Sequence, residues 1–370
     1  MVISQIELNG FRNYGHAKTE FSPGINVITG KNAQGKTNLL EAIYYLSGAK
    51  SFRTRKDRDL INFLSDEASV EAAVAGNDRD YRLNIRLSRT SRKKITINGV
   101  RKKTASELSG KLCTVLFCPG DLDMIRGPAS ERRRFMDLAI AQLRPKYALL
   151  LAEYGRIYEH KTRILRDHKD KPDLLEVLDD FNIKLAKTGT ELIFYRAAWC
   201  NKLSGFASQM HREISGGAEN LSVRYKSVST LEKPEESRPS EIYRALMEHQ
   251  RQYRKVELDS GLCLSGAHKD ELMLTIDDAA VRVFASQGQV RTCALSLKLA
   301  EREISCHDMG EYPVLLLDDV LSELDLDRQD FMLNKITGGQ VFITCCEGED
   351  IEKKTGGKII KVHAGSIEQK

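Results

Sequence analysis

The sequence contains no run of about 18 apolar residues, so no segment is expected to cross a bilayer as a helix. Its opening, MVISQIELNGFRNYG, has no basic stretch leading into an apolar one, so no secretory leader is expected. Cysteine chemistry is also thin. The 8 cysteines are scattered, with no CxxC pair and no paired metal-ligand spacing, which excludes a zinc ribbon and points to reduced, buried thiols in a cytoplasmic protein. The vicinal Cys345 and Cys346 read as core filling. Internal repeats and low-complexity tracts are missing. A strong charge of one sign is missing too: 57 basic against 52 acidic residues leave +5, so the placement of charge matters more than its sum. What remains is globular composition over 370 residues, enough for two cored domains or one with a large insertion.

Apolar periodicity divides the chain. Residues 2–8 read as extended, and Ile25-Asn26-Val27-Ile28 is a short apolar strand ending at Gly30. Segments 68–76, 80–87 and 94–100 read as a meander, with alternation at Leu83, Ile85, Leu87, Ile95 and Ile97, and Asn98-Gly99 as a hairpin turn. Residues 113–117 form another strand, closed by Pro119-Gly120. The period then lengthens to about 3.6. Tyr147, Leu151, Tyr154, Tyr158 and Leu165 mark one helix. A longer one runs from Leu174 through Leu185, Trp199 and Leu203 to Met210. The short link at 168–172 predicts that the two lie antiparallel. Strands return at 221–225 and 272–276, a helix at 287–304, a strand at 314–317 and a last strand at 341–344. The expected fold is therefore α/β with an inserted helical arm, the head built from 1–120 and 262–370 and the arm from 121–261.

Gly30-Lys31-Asn32-Ala33-Gln34-Gly35-Lys36-Thr37 fits G-x-x-x-x-G-K-[ST], entered by a buried strand and left through the helical run that starts at Asn38. The glycines let the loop wrap a phosphate with backbone N–H groups, and the helix start adds its dipole. Lys36 is placed for the β- and γ-phosphates of ATP, and the Thr37 hydroxyl for Mg²⁺. Val314-Leu315-Leu316-Leu317-Asp318-Asp319 is an apolar strand that delivers carboxylates at its end, the Walker B pattern. Asp318 is the expected Mg²⁺ ligand, and Asp319 the group that orients or deprotonates the attacking water.

Two further elements resemble the ATP-binding-cassette superfamily. Ser286-Gln287-Gly288-Gln289, ahead of a helix, resembles its signature motif, and Ser322-Glu323-Leu324-Asp325 resembles its D-loop. Within that superfamily the whole chain resembles the RecF family. The resemblance is carried by Phe11-Arg12-Asn13-Tyr14, GKNAQGKTN, FCPGDLDMIRGPASERRRFMD (117–137), SGAHKDEL (265–272), SQGQVRT (286–292) and LLLDDVLSELD (315–325). It implies an ABC-type P-loop ATPase head, with a mixed sheet and antiparallel meander, plus an α-helical arm. It places Arg12 in the nucleotide pocket beside Lys31, Asn32, Ala33, Gln34 and Asn38. It has Ser286 and Gly288 of one copy complete the ATP site of another, so that ATP drives a homodimer. It further implies work in DNA repair, recombination, replication and the SOS response on double-stranded, gapped and single-stranded DNA. RecO and RecR would be the partners in loading recombinase, and the site of action the cytoplasmic nucleoid, without a membrane.

The pattern departs from the wider superfamily in two places. No histidine follows the strand at 341–344, where Thr344, Cys345 and Cys346 stand, and Asp319 replaces a common Glu. Both point to slow hydrolysis, as a switch would have, and the RecF resemblance implies that this weak ATPase is DNA-dependent. Basic clusters supply candidate DNA contacts: Lys50, Arg53, Arg55 and Lys56 after the P-loop helix, and Arg89, Arg92, Lys93 and Lys94 within an acid-free stretch at 82–103. No base-reading motif is present, so binding largely independent of sequence is expected. Arg132, Arg133 and Arg134 could serve the arm, the nucleotide or DNA. The rival readings are a transporter ATPase and an SMC- or Rad50-like protein. The first usually has about half the interval between Thr37 and Asp318, and usually keeps the switch histidine. The second needs far longer heptad stretches than the arm offers. A scaffold with a dead site is opposed by intact Lys36, Thr37, Asp318 and Ser286.

Overall fold

The computed structural model describes residues 1–369 apart from 77–78, 229–230, 337 and 347–348, and omits the side chains of 323, 349, 350 and 369. The chain forms two compact units, Met1–Asp121 with Lys298–Lys370, and Leu122–Leu297.

In the first unit, period-two runs become an antiparallel sheet. β1 (Val2–Phe11) lies between β2 (Tyr14–Glu20) and β4 (Glu67–Ala75), and β5 (Asp80–Ser88), β6 (Lys94–Ile97) and β7 (Val100–Lys102) extend it. Ile3 and Ile6 are both buried although three apart, because the register against β4 slips between Ile3 and Gln5 and re-phases the strand. Asn98 and Gly99 sit at φ 51° and 77°, as a two-residue hairpin demands.

A second sheet has the order β15-β14-β3-β13-β12-β8. β3 (Ile25–Thr29), β8 (Thr114–Phe117), β12 (Val314–Asp318), β13 (Val341–Cys345) and β14 (Lys358–His363) run parallel. The nearly unbroken apolar runs of β3, β8, β12 and β13 reflect burial on both faces. Helix α1 (Lys36–Gly48) packs its apolar side chains into the same core as the antiparallel sheet. The chain does not end its strands at β13, as the sequence suggested. β14 and β15 (Ser366–Gln369) form one more hairpin, whose polar edge hides its periodicity.

In the second unit, α3 (Ala129–Leu143), α4 (Pro145–Asp167), α5 (Leu178–Ile214) and α6 (Pro239–Ser260) form the helical body, preceded by short α2 (Leu122–Arg126). Tyr147 meets Tyr195 while His160 stacks on Phe181, so α4 and α5 run antiparallel as the short link predicted. Leu174 lies in a 3-10 turn ahead of α5 rather than inside it.

The boundary expected at 262 falls instead between Leu297 and Lys298. The reason is strand pairing: β10 (Glu271–Ile276), the strand expected to rejoin the head, pairs instead with β9 (Leu221–Lys226) of the arm and with β11 (Ala279–Ala280), and the three build a small sheet of their own. Two family segments hold this unit together. Arg132 grips Glu271 with two N–H groups at 2.7 and 2.9 Å and caps α2 through the Met124, Ile125 and Gly127 carbonyls. Buried Asp270 pairs with Arg196 at 3.1 Å, while Arg133 donates to the Asp270 carbonyl. Arg132 and Arg133 therefore serve the arm. Short α7 (Val281–Phe284) leads to α8 (Gln287–Met309), which runs through the second boundary, and α9 (Leu326–Lys335) and α10 (Glu349–Thr355) complete the first unit.

Candidate functional site

The turn from β3 into α1 is built around a few forced backbone angles. Gly30 has φ 154° and Gly35 φ 122°; a Cβ on Gly30 would lie 2.3 Å from the Val362 carbonyl, so no other residue fits there. Ala33 adds a third left-handed residue at φ 63°. The loop from Gly30 to Gly35 therefore curls over the start of α1, which has no side-chain cap and no acid in its first turn. Its N–H groups and dipole suit an anion. Lys36 is nearly buried under this curl, and its ammonium donates to the Gly30 and Lys31 carbonyls at 2.6 and 3.2 Å.

The flanks of the loop are tied down by residues whose roles the sequence left unassigned. Asn13 donates to the Gln34 carbonyl at 2.8 Å and accepts from Asn38, and the Tyr14 hydroxyl donates to the Gly35 carbonyl at 3.0 Å. The β14–β15 turn clamps the other side: the Gly365 N–H donates to the Gln34 carbonyl and the Ala364 N–H to Gln34 Oε1. Arg12, expected to line the nucleotide pocket, directs its guanidinium to buried Glu41, with two contacts of 2.8 Å, and to the Asp59 carbonyl. Among the described residues Arg12 makes no hydrogen bond to the loop itself.

At the end of β12 the carboxylates meet the loop. Asp318 Oδ1 accepts from Thr37 Oγ1 and from Thr344 Oγ1, each at 2.9 Å. Thr344, at the end of β13, also accepts from the Asp319 N–H at 2.8 Å, which holds Asp319 in the left-handed region at φ 56°. Burial raises the Asp318 pKa above the usual carboxylate range; neighbouring Asp319 adds to the rise, while the two hydroxyl bonds oppose it. Two hard oxygen donors, Thr37 and Asp318, thus stand within hydrogen-bond reach of each other beside an anion cradle, a donor set that fits Mg²⁺. Asp319 points its carboxylate to solvent.

Beyond β13, Cys346 is exposed rather than core filling. Its Sγ lies 3.8 Å from the Lys36 ammonium and 3.1 Å from Asn32 Oδ1, while Cys345 is buried. The Ser322 hydroxyl donates to the Asp319 carbonyl, and Asp325 caps α9 by accepting from the Arg328 N–H at 3.0 Å. The Glu323 side chain lies outside the described residues.

Ser286 and Gln289 belong to the second unit and cap α8 reciprocally: the Ser286 N–H donates to Gln289 Oε1 at 2.8 Å, and the Gln289 N–H to Ser286 Oγ at 3.2 Å. Ser286 and Gln287 are exposed, and Gly288 is half-buried.

The basic residues expected on DNA separate into two groups. Lys50, Arg55, Lys56, Arg92 and Lys94 are exposed and make no ion pair among the described residues. Arg53 is turned onto Asn38 and Glu41, Lys93 onto Asp57 and the Ala49 carbonyl, and Arg89 onto the carbonyls of Asn62 and Ser65.

The RecF/RecN/SMC N terminal domain family matches residues 2–367. A DNA replication and repair protein RecF from Desulforamulus reducens is 41% identical over 377 aligned residues, covering 100% of this chain and 99% of that protein. Its counterpart from Alkaliphilus oremlandii is 37% identical over 370 residues and matches 100% of both chains. A solved structure of the recombination mediator protein RecF-ATP in the RecFOR pathway superposes with TM-score 0.92 at 33% identity, covering 100% of this chain and 97% of that one. An Smc head domain from Pyrococcus furiosus shares the fold alone, with TM-score 0.58 at 18% identity.

Proposed function

Because this chain belongs to the RecF family, we propose that it is an ATP-dependent DNA-binding switch of recombinational repair, in which the ATP-bound form is a homodimer on DNA. The observation that carries this reading is the convergence of Lys36, Thr37, Asp318 and Thr344 around one loop. Backbone N–H groups of Gly30–Gly35 take the phosphates, and Lys36 exchanges its two carbonyl partners for phosphate oxygens. Thr37 and Asp318, whose oxygens lie side by side, would hold Mg²⁺. ATP with Mg²⁺, when bound, supplies the charge that joins two copies and the phosphoryl bond whose cleavage parts them. Asp319, held in its strained turn by Thr344, orients water for that cleavage. Ser286, at the exposed start of α8, offers its hydroxyl and the helix N-terminus to the nucleotide of a second copy.

Turnover is slow, because no histidine follows β13, where Thr344, Cys345 and Cys346 stand, and Asp319 is one methylene shorter than Glu. Exposed Lys50, Arg55, Lys56, Arg92 and Lys94 contact duplex or gapped DNA through phosphates. RecO and RecR are the partners for recombinase loading, at the nucleoid.

Light scattering with ATP–Mg²⁺ and a short duplex tests this reading. The mass of the native chain is expected to double, and Lys36→Met and Ser286→Arg are each expected to stay monomeric. Mass and duplex binding indifferent to ATP would overturn the switch.

A further inference from the structure

Just ahead of β4 the chain makes a tight turn, with the Ser65 N–H donating to the Asn62 carbonyl at 3.0 Å and the Leu64 N–H to Asn62 Oδ1 at 2.9 Å. Its two corner residues are Phe63 and Leu64, which are 98% and 97% exposed, more than any other large apolar side chain of the described residues. Single exposed apolar residues are ordinary, but two adjacent ones standing wholly in water on a tight turn are not.

The turn is held from several sides. Its base is sewn to the end of β1 by Asn62 N–H to the Gly10 carbonyl at 2.8 Å, Arg12 N–H to the Leu60 carbonyl at 2.7 Å, and Asn62 Nδ2 to the Arg12 carbonyl at 2.8 Å. Arg89 then clamps it, donating to the carbonyls of Asn62 and Ser65 at 3.1 Å each. The chain leading through the tip, and the segment that Arg89 brings to it, are rich in charge. Segments 50–67 and 88–94 carry nine basic residues against the four acids Asp57, Asp59, Asp66 and Glu67. Asp57 is paired with Lys93, and Asp59 lies by Arg58 and accepts from Thr54.

We infer that Phe63 and Leu64 form an apolar wedge that enters the base stack of DNA while the neighbouring cations hold the phosphates on either side. A projecting tip offers no groove for a peptide, but its shape matches the gap between two base steps. Its pre-formed turn limits the ordering cost on insertion. The flanking positive charge complements the backbone that any duplex presents beside such a step. This rests on the DNA-binding reading above and adds to it a contact that no phosphate can make.

The test uses the full chain with ATP–Mg²⁺ and a short duplex carrying 2-aminopurine, whose fluorescence rises when its base unstacks. The native chain is expected to raise that signal. Phe63→Ala/Leu64→Ala is expected to abolish the rise and weaken binding by about tenfold, the scale of losing one base–aromatic stack. The slope of log affinity against log salt should stay unchanged, since no phosphate contact is lost. Lys56→Ala/Arg92→Ala should instead flatten the slope and keep the signal at saturation.

Native binding without a fluorescence rise, or a double-alanine variant that binds and signals as the native chain does, would overturn the wedge and leave the DNA reading standing. So would a variant whose only defect is lost binding to phosphatidylserine vesicles, which would make the tip a membrane contact. Failure of the native chain to bind duplex at all would remove the DNA reading and the wedge together.

Discussion

Thr344 shows how much one hydroxyl can organise. It accepts from the Asp319 N–H and donates to Asp318, so it links the strained turn to the buried carboxylate. Thr344→Val keeps the shape of the side chain and removes both bonds. Hydrolysis is expected to fall about tenfold with ATP affinity held within about twofold, since a buried hydrogen bond of this kind is worth ~1–3 kcal/mol. The pH profile gives a second readout. On the proposed reading Asp318 must be ionised to hold Mg²⁺, and burial already raises its pKa, so activity is expected to be lost as pH falls through that raised value. The Thr344 bond favours the ionised form, and its removal moves the acid limb to higher pH. Thr344→Ser is expected to restore both rate and limb. An unmoved limb with full turnover in the valine variant would show that Thr344 does not position the acid.

At the level of elements, the C-terminal hairpin acts on the phosphate loop without supplying a phosphate ligand. Gly365 lies at φ 75°, and a Cβ there would sit 2.2 Å from the Asn13 carbonyl, so the turn that holds Gln34 tolerates no side chain. Gly365→Val should push the hairpin off Gln34 and Asn13, loosening a loop that must be ordered before it can bind. With strain of this kind costing ~1–3 kcal/mol, the Kd for a fluorescent ATP analogue is expected to rise about tenfold while the melting curve still shows a folded chain. An unchanged Kd would mean that the loop keeps its shape without the hairpin.

Across the whole molecule, the decisive question is whether one copy completes the site of another. Lys36 and Ser286 lie in different compact units of the chain, and mixing the two inactive variants separates the alternatives. If the sites are shared between copies, a mixed dimer of Lys36→Met with Ser286→Arg has one site with both halves intact. The mixture should then recover ATP-induced doubling of mass that neither variant shows alone. If each chain uses its own signature residues, mixing restores nothing.

The sequence by itself determined the strand–loop–helix at residues 25–48, the carboxylate-ended β12 and the antiparallel α4–α5 pair. Each is written in local features: glycines that admit special backbone angles, unbroken apolar runs, or apolar spacing at the helical period with a short link. Tertiary structure alone decided what distant residues do to one another. Thr344 became the partner of Asp318 because β12 and β13 are parallel neighbours in register. Arg12 was committed to Glu41 because that carboxylate is buried and needs a counter-charge. β10 joined the arm rather than the head because its edge pairs with β9. Arg53, Arg89 and Lys93 look identical in sequence to Arg55, Arg92 and Lys94. Only the folded surroundings tie the first three to internal carbonyls and carboxylates and leave the others facing water.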